Sequence, residues 1–273
     1  MNPLNYYSFF RKELEKVALF PDRELRDIIY HLTGKDTPTF LLSPPSEIDM
    51  EMVIEETKKI IEKRKKKVPL DYILGKSFFM DIELKVSPSV LIPRPDTEVL
   101  VEEVLKHKPG DVVDIGTGSG NIGIVLARYG FKVTGTDISY ASLQIAKSNA
   151  KLNKVEIETK LCPFFECFNK GIKFDYIVSN PPYISPKEYE NLDLEVKQEP
   201  YEALVSPLDG LWHSLNILRQ AKCYLKRGGY IFLEISSLRA EKYTQLAQEF
   251  GYTDIELLKD LNANYRVLKA RWI

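Results

Sequence analysis

Near the start of the chain, apolar residues recur at helical spacing. Phe10, Leu14, Val17 and Ala18 make one series, Leu25, Ile28, Ile29 and Leu32 a second, and Met52, Val53, Ile60 and Ile61 a third. The pattern predicts a small helical domain over residues 1–70. Pro44-Pro45-Ser46 punctuates it, and Ser46, followed by Glu47 and Asp49, suits the start of the third helix. That helix runs out in the charged stretch Glu62 to Lys67 ahead of Pro69. The stretch reads as a solvated helix end, with contact to an acidic or RNA-bearing partner as the alternative.

The period then switches to two. Met80, Ile82, Leu84 and Val86 alternate with Asp81, Glu83 and Lys85, and Tyr72 to Phe79 supplies a second apolar run, so residues 71–92 read as a β-hairpin linking two domains. After Ile92-Pro93-Arg94-Pro95, where two prolines forbid a helix, Asp96 or Thr97 can cap one carrying Val99, Leu100, Val104 and Leu105. Over residues 93–273, strand and helix patterns alternate. Strands are expected at Val112 to Ile115, Phe131 to Thr136, Val155 to Thr159, Phe174 to Ser179, Tyr230 to Ile235, Ile255 to Leu258 and Arg266 to Ala270. Helices are expected at Ile122 to Ala127, Ala141 to Leu152, Leu211 to Leu225 and Glu241 to Phe250. This alternation predicts an α/β fold, a seven-stranded, mostly parallel sheet with helices on both faces. Only Lys259 to Asn264 separates the last two strands, too short for a parallel crossover, so that pair is expected to be antiparallel.

Composition narrows the class. The 273 residues carry 38 Lys plus Arg against 39 Asp plus Glu, a formal net charge of -1, with 44% hydrophobic and 28% charged residues. These values are ordinary for a globular chain and exclude disordered, collagen-like and membrane-spanning classes. So neutral a chain lacks the basic field that holds a protein on a nucleic-acid backbone, and no stable nucleic-acid partner is expected. No uncharged apolar run reaches ~18 residues, and Met1 to Lys16 is neither basic enough nor apolar enough for a leader; a cytoplasmic protein without membrane contact is expected. Cys162, Cys167 and Cys223 are an odd count without zinc spacing. A disulfide framework is therefore not expected, and Cys162 and Cys167 read as packing residues beside Phe164 and Phe165. His31, His107 and His213 are scattered and form no ligand spacing, so no metal is expected.

Candidate chemistry enters where the first strand of the sheet turns into a helix. The run Asp114-Ile115-Gly116-Thr117-Gly118-Ser119-Gly120-Asn121-Ile122-Gly123 has glycines at alternate positions, which lets backbone approach a ligand with no side chain between. A nucleotide-like ligand is implied, and two templates fit. Gly118, Gly120 and Gly123 give the spacing of dinucleotide enzymes; Gly116, Gly118 and Gly120 give that of S-adenosylmethionine (SAM) methyltransferases. Asp137, ending the second strand, can accept both ribose hydroxyls of either ligand.

Asn180-Pro181-Pro182-Tyr183 follows the fourth strand, on the same carboxyl edge of the sheet. Such a set suits methylation of a planar nitrogen whose lone pair is delocalised. Two acceptors aimed at its two N–H bonds would orient it: the Asn180 side-chain oxygen and the Pro181 carbonyl, held by fixed φ and by the restriction that Pro182 places on its predecessor. Tyr183 offers a flat face for stacking. Dehydrogenases have no use for this constellation, which favours SAM over NAD.

With these residues in hand, the chain resembles the PrmC/HemK family of peptide chain release factor glutamine methyltransferases nearly end to end. The likeness runs through Asp71-Tyr72-Ile73-Leu74-Gly75, Val90-Leu91-Ile92-Pro93-Arg94-Pro95-Asp96-Thr97-Glu98, Asp114 to Gly120, Asn180-Pro181-Pro182-Tyr183-Ile184, Glu199-Pro200, Asp209-Gly210-Leu211 and Gly228-Gly229. It implies a Rossmann-like class I SAM-dependent methyltransferase fold behind a helical substrate-recognition domain. The implied reaction is methyl transfer to the side-chain amide nitrogen of the glutamine in the Gly-Gly-Gln loop of class I release factors, by a monomer. Carried onto this chain, Asp114, Gly116, Thr117, Gly118, Ser119, Gly120, Asp137, Ile138 and Asn180 would surround SAM. Phe164 would flank the adenine, with Phe165 possible. Asn180 and Pro181 would be catalytic, and Pro182, Tyr183, Arg94 and Glu98 would border the substrate.

Two places depart from the family: Glu234-Ile235-Ser236-Ser237-Leu238 where relatives commonly have Glu-Ile-Gly, and Trp212-His213 after Gly210-Leu211. The rival readings are a DNA adenine or rRNA guanine methyltransferase using the same Asn-Pro-Pro-Tyr chemistry, a SAM-binding docking module without catalysis, and an NAD dehydrogenase.

Overall fold

A computed structural model describes residues 1–43 and 46–273, so the Pro44-Pro45 punctuation lies outside the described residues. Residues 1–75 with 194–198 form one compact unit, and residues 76–193 with 199–273 form a second.

Helices Pro3–Leu14, Pro21–Thr33, Thr37–Leu42, Glu47–Lys65 and Leu70–Leu74 build the first unit. The side chains of Asn2, Asp36 and Ser46 accept the N–H groups of Asn5, Thr39 and Asp49, which supplies the capping that helix starts need. Ser46 thus opens its helix as the sequence predicts. The core is Phe10, Leu14, Leu25, Ile28, Val53 and their neighbours, closed by Tyr6 and Phe40. Phe40 comes from Thr37–Leu42, a helix too short to reveal itself by periodicity.

Three expectations change here. Met52 is exposed, and Met50 takes the buried position instead. Tyr72 lies in the helix Leu70–Leu74, not on a strand. Arg64, in the stretch read as a solvated helix end, is only 2% exposed, because its guanidinium donates to Glu24 and to Glu195 at 2.7–2.9 Å and to the Val68 carbonyl. Glu195 belongs to the 194–198 segment, and this pairing ties that segment to the helices.

The second unit opens with a hairpin of β1 (Lys76–Phe79) and β2 (Ile82–Lys85), paired antiparallel from Lys76↔Lys85 to Phe79↔Ile82. Met80 leaves the alternation because it forms the turn, at φ 50. The main sheet comprises β3 (Asp111–Ile115), β4 (Lys132–Asp137), β5 (Glu158–Leu161), β6 (Phe174–Ser179), β7 (Leu225–Glu234), β8 (Thr253–Lys259) and β9 (Tyr265–Arg271), in the order β5-β4-β3-β6-β7-β9-β8. Strands β5 through β7 pair parallel, whereas β9 runs antiparallel to both β7 and β8. Two apolar cores cover the two faces, one around Phe165, Ile177 and Leu233, the other around Leu100, Val125 and Phe232.

Fold class and strand polarity match the sequence reading, and the differences sit at element ends. Strand β5 starts at Glu158 instead of Val155, since its ladder with β4 runs only from Thr134↔Glu158 to Asp137↔Leu161. Strand β7 starts at Leu225, five residues before the predicted Tyr230, and the helix ahead of it spans only Trp212–Ala221. Gly228, at φ 85, breaks the apolar pattern without ending the strand, next to a register shift between Phe174 and Tyr176. Among the described residues, no helix is long and apolar enough to cross a membrane.

Candidate active site

Parallel strands β3, β4 and β6 deliver their following loops to one edge of the sheet, and a cavity of about 700 Å³ opens there. Its walls come from the glycine turn after β3, the loop after β4, Phe164, the Asn180-Pro181-Pro182 run after β6, and the segment 88–94.

The glycine turn works by backbone geometry. Gly116, Gly118 and Gly120 have φ of 72, 53 and 84, the left-handed region that side chains resist, and no Cβ stands between this backbone and the cavity. The N–H groups of Gly116 and Thr117 both donate to the Thr136 carbonyl, at 2.9 and 2.8 Å. Gly118 donates to Asp137 Oδ2 at 2.9 Å, and Ser139 donates to Asp137 Oδ1 at 2.8 Å. Burial raises the Asp137 carboxyl above its ordinary range, and these N–H donors oppose that rise. With the N–H groups of Gly118, Ser139 and Ile138 acting on it, the carboxylate keeps acceptor capacity for a ribose hydroxyl. A glycine cradle, a carboxylate with spare acceptors and a deep apolar-walled cavity fit a nucleoside-bearing cofactor such as SAM.

Of the residues carried over for SAM, Gly116, Thr117, Gly118, Ser119, Asp137, Ile138, Phe164 and Asn180 line the cavity. Asp114 and Gly120 stand behind the wall. Asp114 is fully buried and accepts the Thr117 hydroxyl at 2.6 Å; burial pushes its carboxyl up to about 7. Gly120 caps the helix Asn121–Arg128 and is packed against Ile124 and Ala146, where a Cβ would meet 3.0–3.4 Å contacts. Phe165 points into the core and stacks on Tyr224 with ring centroids 4.7 Å apart, which leaves Phe164 as the ring on the cavity.

The structure joins Cys162 and Cys167 in a disulfide, with Cα atoms 5.7 Å apart, which corrects the expectation of none; Cys162 is buried and Cys167 packs on the core with Phe164 and Phe165, as their packing role predicts. The turn from Pro163 to Glu166, closed by the Glu166 N–H on the Pro163 carbonyl, folds the two cysteines together and presents Phe164.

On the substrate side, Asn180, Pro181, Pro182 and Arg94 reach the cavity. Ser179 Oγ donates to the Ile115 carbonyl at 2.6 Å and locks the end of β6 to the end of β3. Arg94 pairs with the buried Glu199, whose other oxygen accepts the Ile92 N–H at 3.0 Å, so Glu199 braces the proline-flanked segment. Tyr183 and Glu98 are not on the cavity wall. The Tyr183 hydroxyl donates inward to Glu234 Oε1 at 3.2 Å, and Glu98 Oε1 accepts the Met80 N–H at 2.9 Å, capping the hairpin turn. Thr97 does not cap the helix Glu98–Leu105 through its side chain; its hydroxyl donates to Glu234 Oε2 at 2.6 Å.

Sequence reasoning missed Thr97, Trp212 and His213 as cavity residues. Thr97 sits inside the proline-flanked motif, where its type invited a capping role. Trp212 and His213 lie over the Phe164 ring at 5.5 and 6.1 Å between centroids, and burial lowers the His213 pKa. Only their place after Asp209-Gly210-Leu211 hinted at this.

Residues 94–205 match the family model described as Methyltransferase small domain. The release factor glutamine methyltransferase of Aliivibrio fischeri is 32% identical over 259 residues, covering 93% of this chain and 91% of that protein. That of Thermodesulfovibrio yellowstonii is 36% identical over 267 residues, covering 94% and 95%. Among solved structures, the T. thermophilus 16S rRNA methyltransferase in complex with AdoMet and guanosine superposes with a TM-score of 0.54 at 22% identity, over 72% of this chain and 50% of that one. That likeness carries the fold alone. Family membership rests on identity over nearly the full length: the chain belongs to the release factor glutamine methyltransferase family.

Proposed function

We propose that this protein transfers the methyl group of SAM to the side-chain amide nitrogen (N5) of the glutamine in the Gly-Gly-Gln motif of class I peptide chain release factors. The carrying observation is the convergence of Asn180 and Pro181 with the glycine turn and Asp137 on one cavity. Gly116 to Ser119 and Asp137 hold the cofactor, and Ile138 and Phe164 flank its base. When bound, SAM supplies an electrophilic methyl on a sulfonium. The rest falls to this chain. Asn180 Oδ1 and the Pro181 carbonyl accept the two amide N–H bonds, turn the nitrogen toward the methyl donor and stabilise the positive charge that builds on it. The apolar wall excludes water that would compete for those acceptors.

Residues 1–70 serve as the substrate-recognition domain, supported by the exposed apolar side chains Phe9, Leu19, Phe20 and Leu42. The protein acts as a cytoplasmic monomer; that it does so without nucleic acid is supported by its net charge of -1.

The test is mass spectrometry of a purified, unmethylated release factor after incubation with this protein and SAM. A gain of one methyl group on the Gly-Gly-Gln glutamine is expected. A methyl on DNA adenine or rRNA guanine, with the release factor untouched, would overturn the reading.

A further inference from the structure

A carboxylate that touches neither the cavity nor the cradle stands behind Asn180. Asn180 Nδ2 donates to Thr97 Oγ1 at 3.0 Å, Thr97 Oγ1 donates to Glu234 Oε2 at 2.6 Å, and Tyr183 Oη donates to Glu234 Oε1 at 3.2 Å. Thr97 is 0% exposed and Glu234 1%. The four residues come from the proline-flanked turn, the Asn-Pro-Pro-Tyr run and the end of β7, so three distant segments meet at one buried anion.

The donor inventory fixes the direction of this chain. An ionised carboxylate only accepts, and a threonine hydroxyl owns a single hydrogen. With that hydrogen committed to Glu234, the Thr97 oxygen can only accept, and of the two ends of the Asn180 amide only the NH₂ can meet it. The amide is planar, so Oδ1 then diverges toward the other side. Oxygen and nitrogen have nearly equal size, and packing alone does not choose between the two flips. Every bond in the chain also points its hydrogen toward the anion, which polarises the Asn180 amide and leaves more negative charge on Oδ1.

Resting on the function proposed above, we propose that Glu234 is a positioning residue for methyl transfer, setting through the Thr97 hydroxyl which end of the Asn180 amide meets the substrate nitrogen. Burial makes this carboxylate costly. Desolvation raises its pKa to about 7, the hydrogen bonds from Thr97 and Tyr183 oppose the rise, the nearby Asp96 adds to it and Arg266 lowers it. Arg266 itself is paired with Asp96 at 2.9 Å and with Asp260 at 2.8 Å, so it does not neutralise Glu234 alone. Once protonated, Glu234 can donate, Thr97 is released, and either amide flip becomes available.

The experiment compares steady-state methylation of a purified release factor by wild type, Glu234→Leu, Glu234→Gln, Thr97→Val and Thr97→Ser. Glu234→Leu and Thr97→Val are expected to lower kcat on the order of 10-fold to 10²-fold, the scale of a misplaced reacting group. Thr97→Ser keeps the hydroxyl and is expected to retain far more of kcat than Thr97→Val. Glu234→Gln, whose amide can donate as the protonated carboxyl does, holds kcat at the low-pH level of wild type at every pH, without the acid limb that wild-type kcat shows as pH falls through about 7. A purely structural role would not move that limb. Wild-type kcat in both Glu234→Leu and Thr97→Val, or an acid limb preserved in Glu234→Gln, would overturn the inference.

If Glu234→Leu does not fold, the Thr97 pair and the Glu234→Gln profile decide alone. Hydrogen exchange of the Asn180 side-chain NH₂, followed by NMR without a release factor, separates this inference from the function it rests on. Exchange that accelerates as pH falls through about 7 in wild type but not in Glu234→Gln supports it, even if the release factor is the wrong substrate. Identical pH responses of the two proteins, after correction for intrinsic exchange, overturn it.

Discussion

The backbone N–H of Gly118 donates to Asp137 Oδ2, so the glycine turn after β3 and the end of β4 are one hydrogen-bonded piece. The cradle is held in shape by the same carboxylate that is proposed to take the ribose. Asp137→Ala removes both jobs at once. Hydrogen bonds to a charged group contribute ~1.5–3 kcal/mol each, so SAM Kd should rise on the order of 10-fold to 10²-fold by isothermal titration calorimetry. An unchanged Kd would detach Asp137 from the cofactor.

Asn180→Ala takes away one preorganised acceptor at the reacting nitrogen and leaves the glycine turn intact. Turnover on a release factor should fall ~10²–10³-fold, far more than SAM affinity does. Near-normal turnover would refute the assigned role.

Gly210 supports the Asn-Pro-Pro-Tyr run from behind. It has φ 82, and a Cβ there would lie 2.3 Å from the Tyr183 carbonyl oxygen. The run is held to the same segment by the Ile184 N–H on the Leu204 carbonyl and the Ser206 N–H on the Ile184 carbonyl. Gly210→Ala must therefore shift the loop, and a displacement of ~1 Å is enough to cut turnover on the order of 10²-fold. Gly171→Ala is the control: its φ is 98 but nothing lies within 4 Å, so it carries only backbone strain of ~1–3 kcal/mol. Thermal unfolding should register both variants, and turnover only the first.

Asp114 gives a pH signature in stability. Its carboxyl is raised to about 7 from an ordinary 3.8, so folding favours the protonated form; that contribution is full below 3.8 and is lost as pH rises through about 7. Asp114→Asn is neutral throughout. The melting temperature of the variant relative to wild type should therefore climb from about pH 4 to about pH 7 and level off above, by differential scanning calorimetry, whatever the offset at the low end. A flat or falling difference would show that Asp114 is ionised at no cost.

The main architecture was legible because its signals are local. Helical period, alternation and the short gap between β8 and β9 each follow from neighbours in the sequence, as does the glycine turn after β3. The misreadings share a different cause. Arg64 looked solvated because its partners, Glu24 and Glu195, lie far away in the chain. Thr97 looked like a helix cap because the stronger claim on its hydroxyl comes from Glu234, 137 residues away in the chain. Tyr183 read as a stacking face because its hydroxyl partner was equally out of sight. Cys162 and Cys167 are close in sequence, yet their bond depends on how sharply the turn between them closes, which spacing alone does not encode.

The strand order β7-β9-β8 also has a bearing on how the site is made during translation. Strand β8 leaves the ribosome before β9, yet it has no place in the sheet until β9 arrives to lie between it and β7. Glu234 pairs in register with Val267. Until residues 265–271 emerge, the outer flank of β7 is open to water and the carboxylate behind Asn180 is hydrated. A nascent chain can thus form its glycine turn from residues 111–137 before β9 encloses the carboxylate behind Asn180.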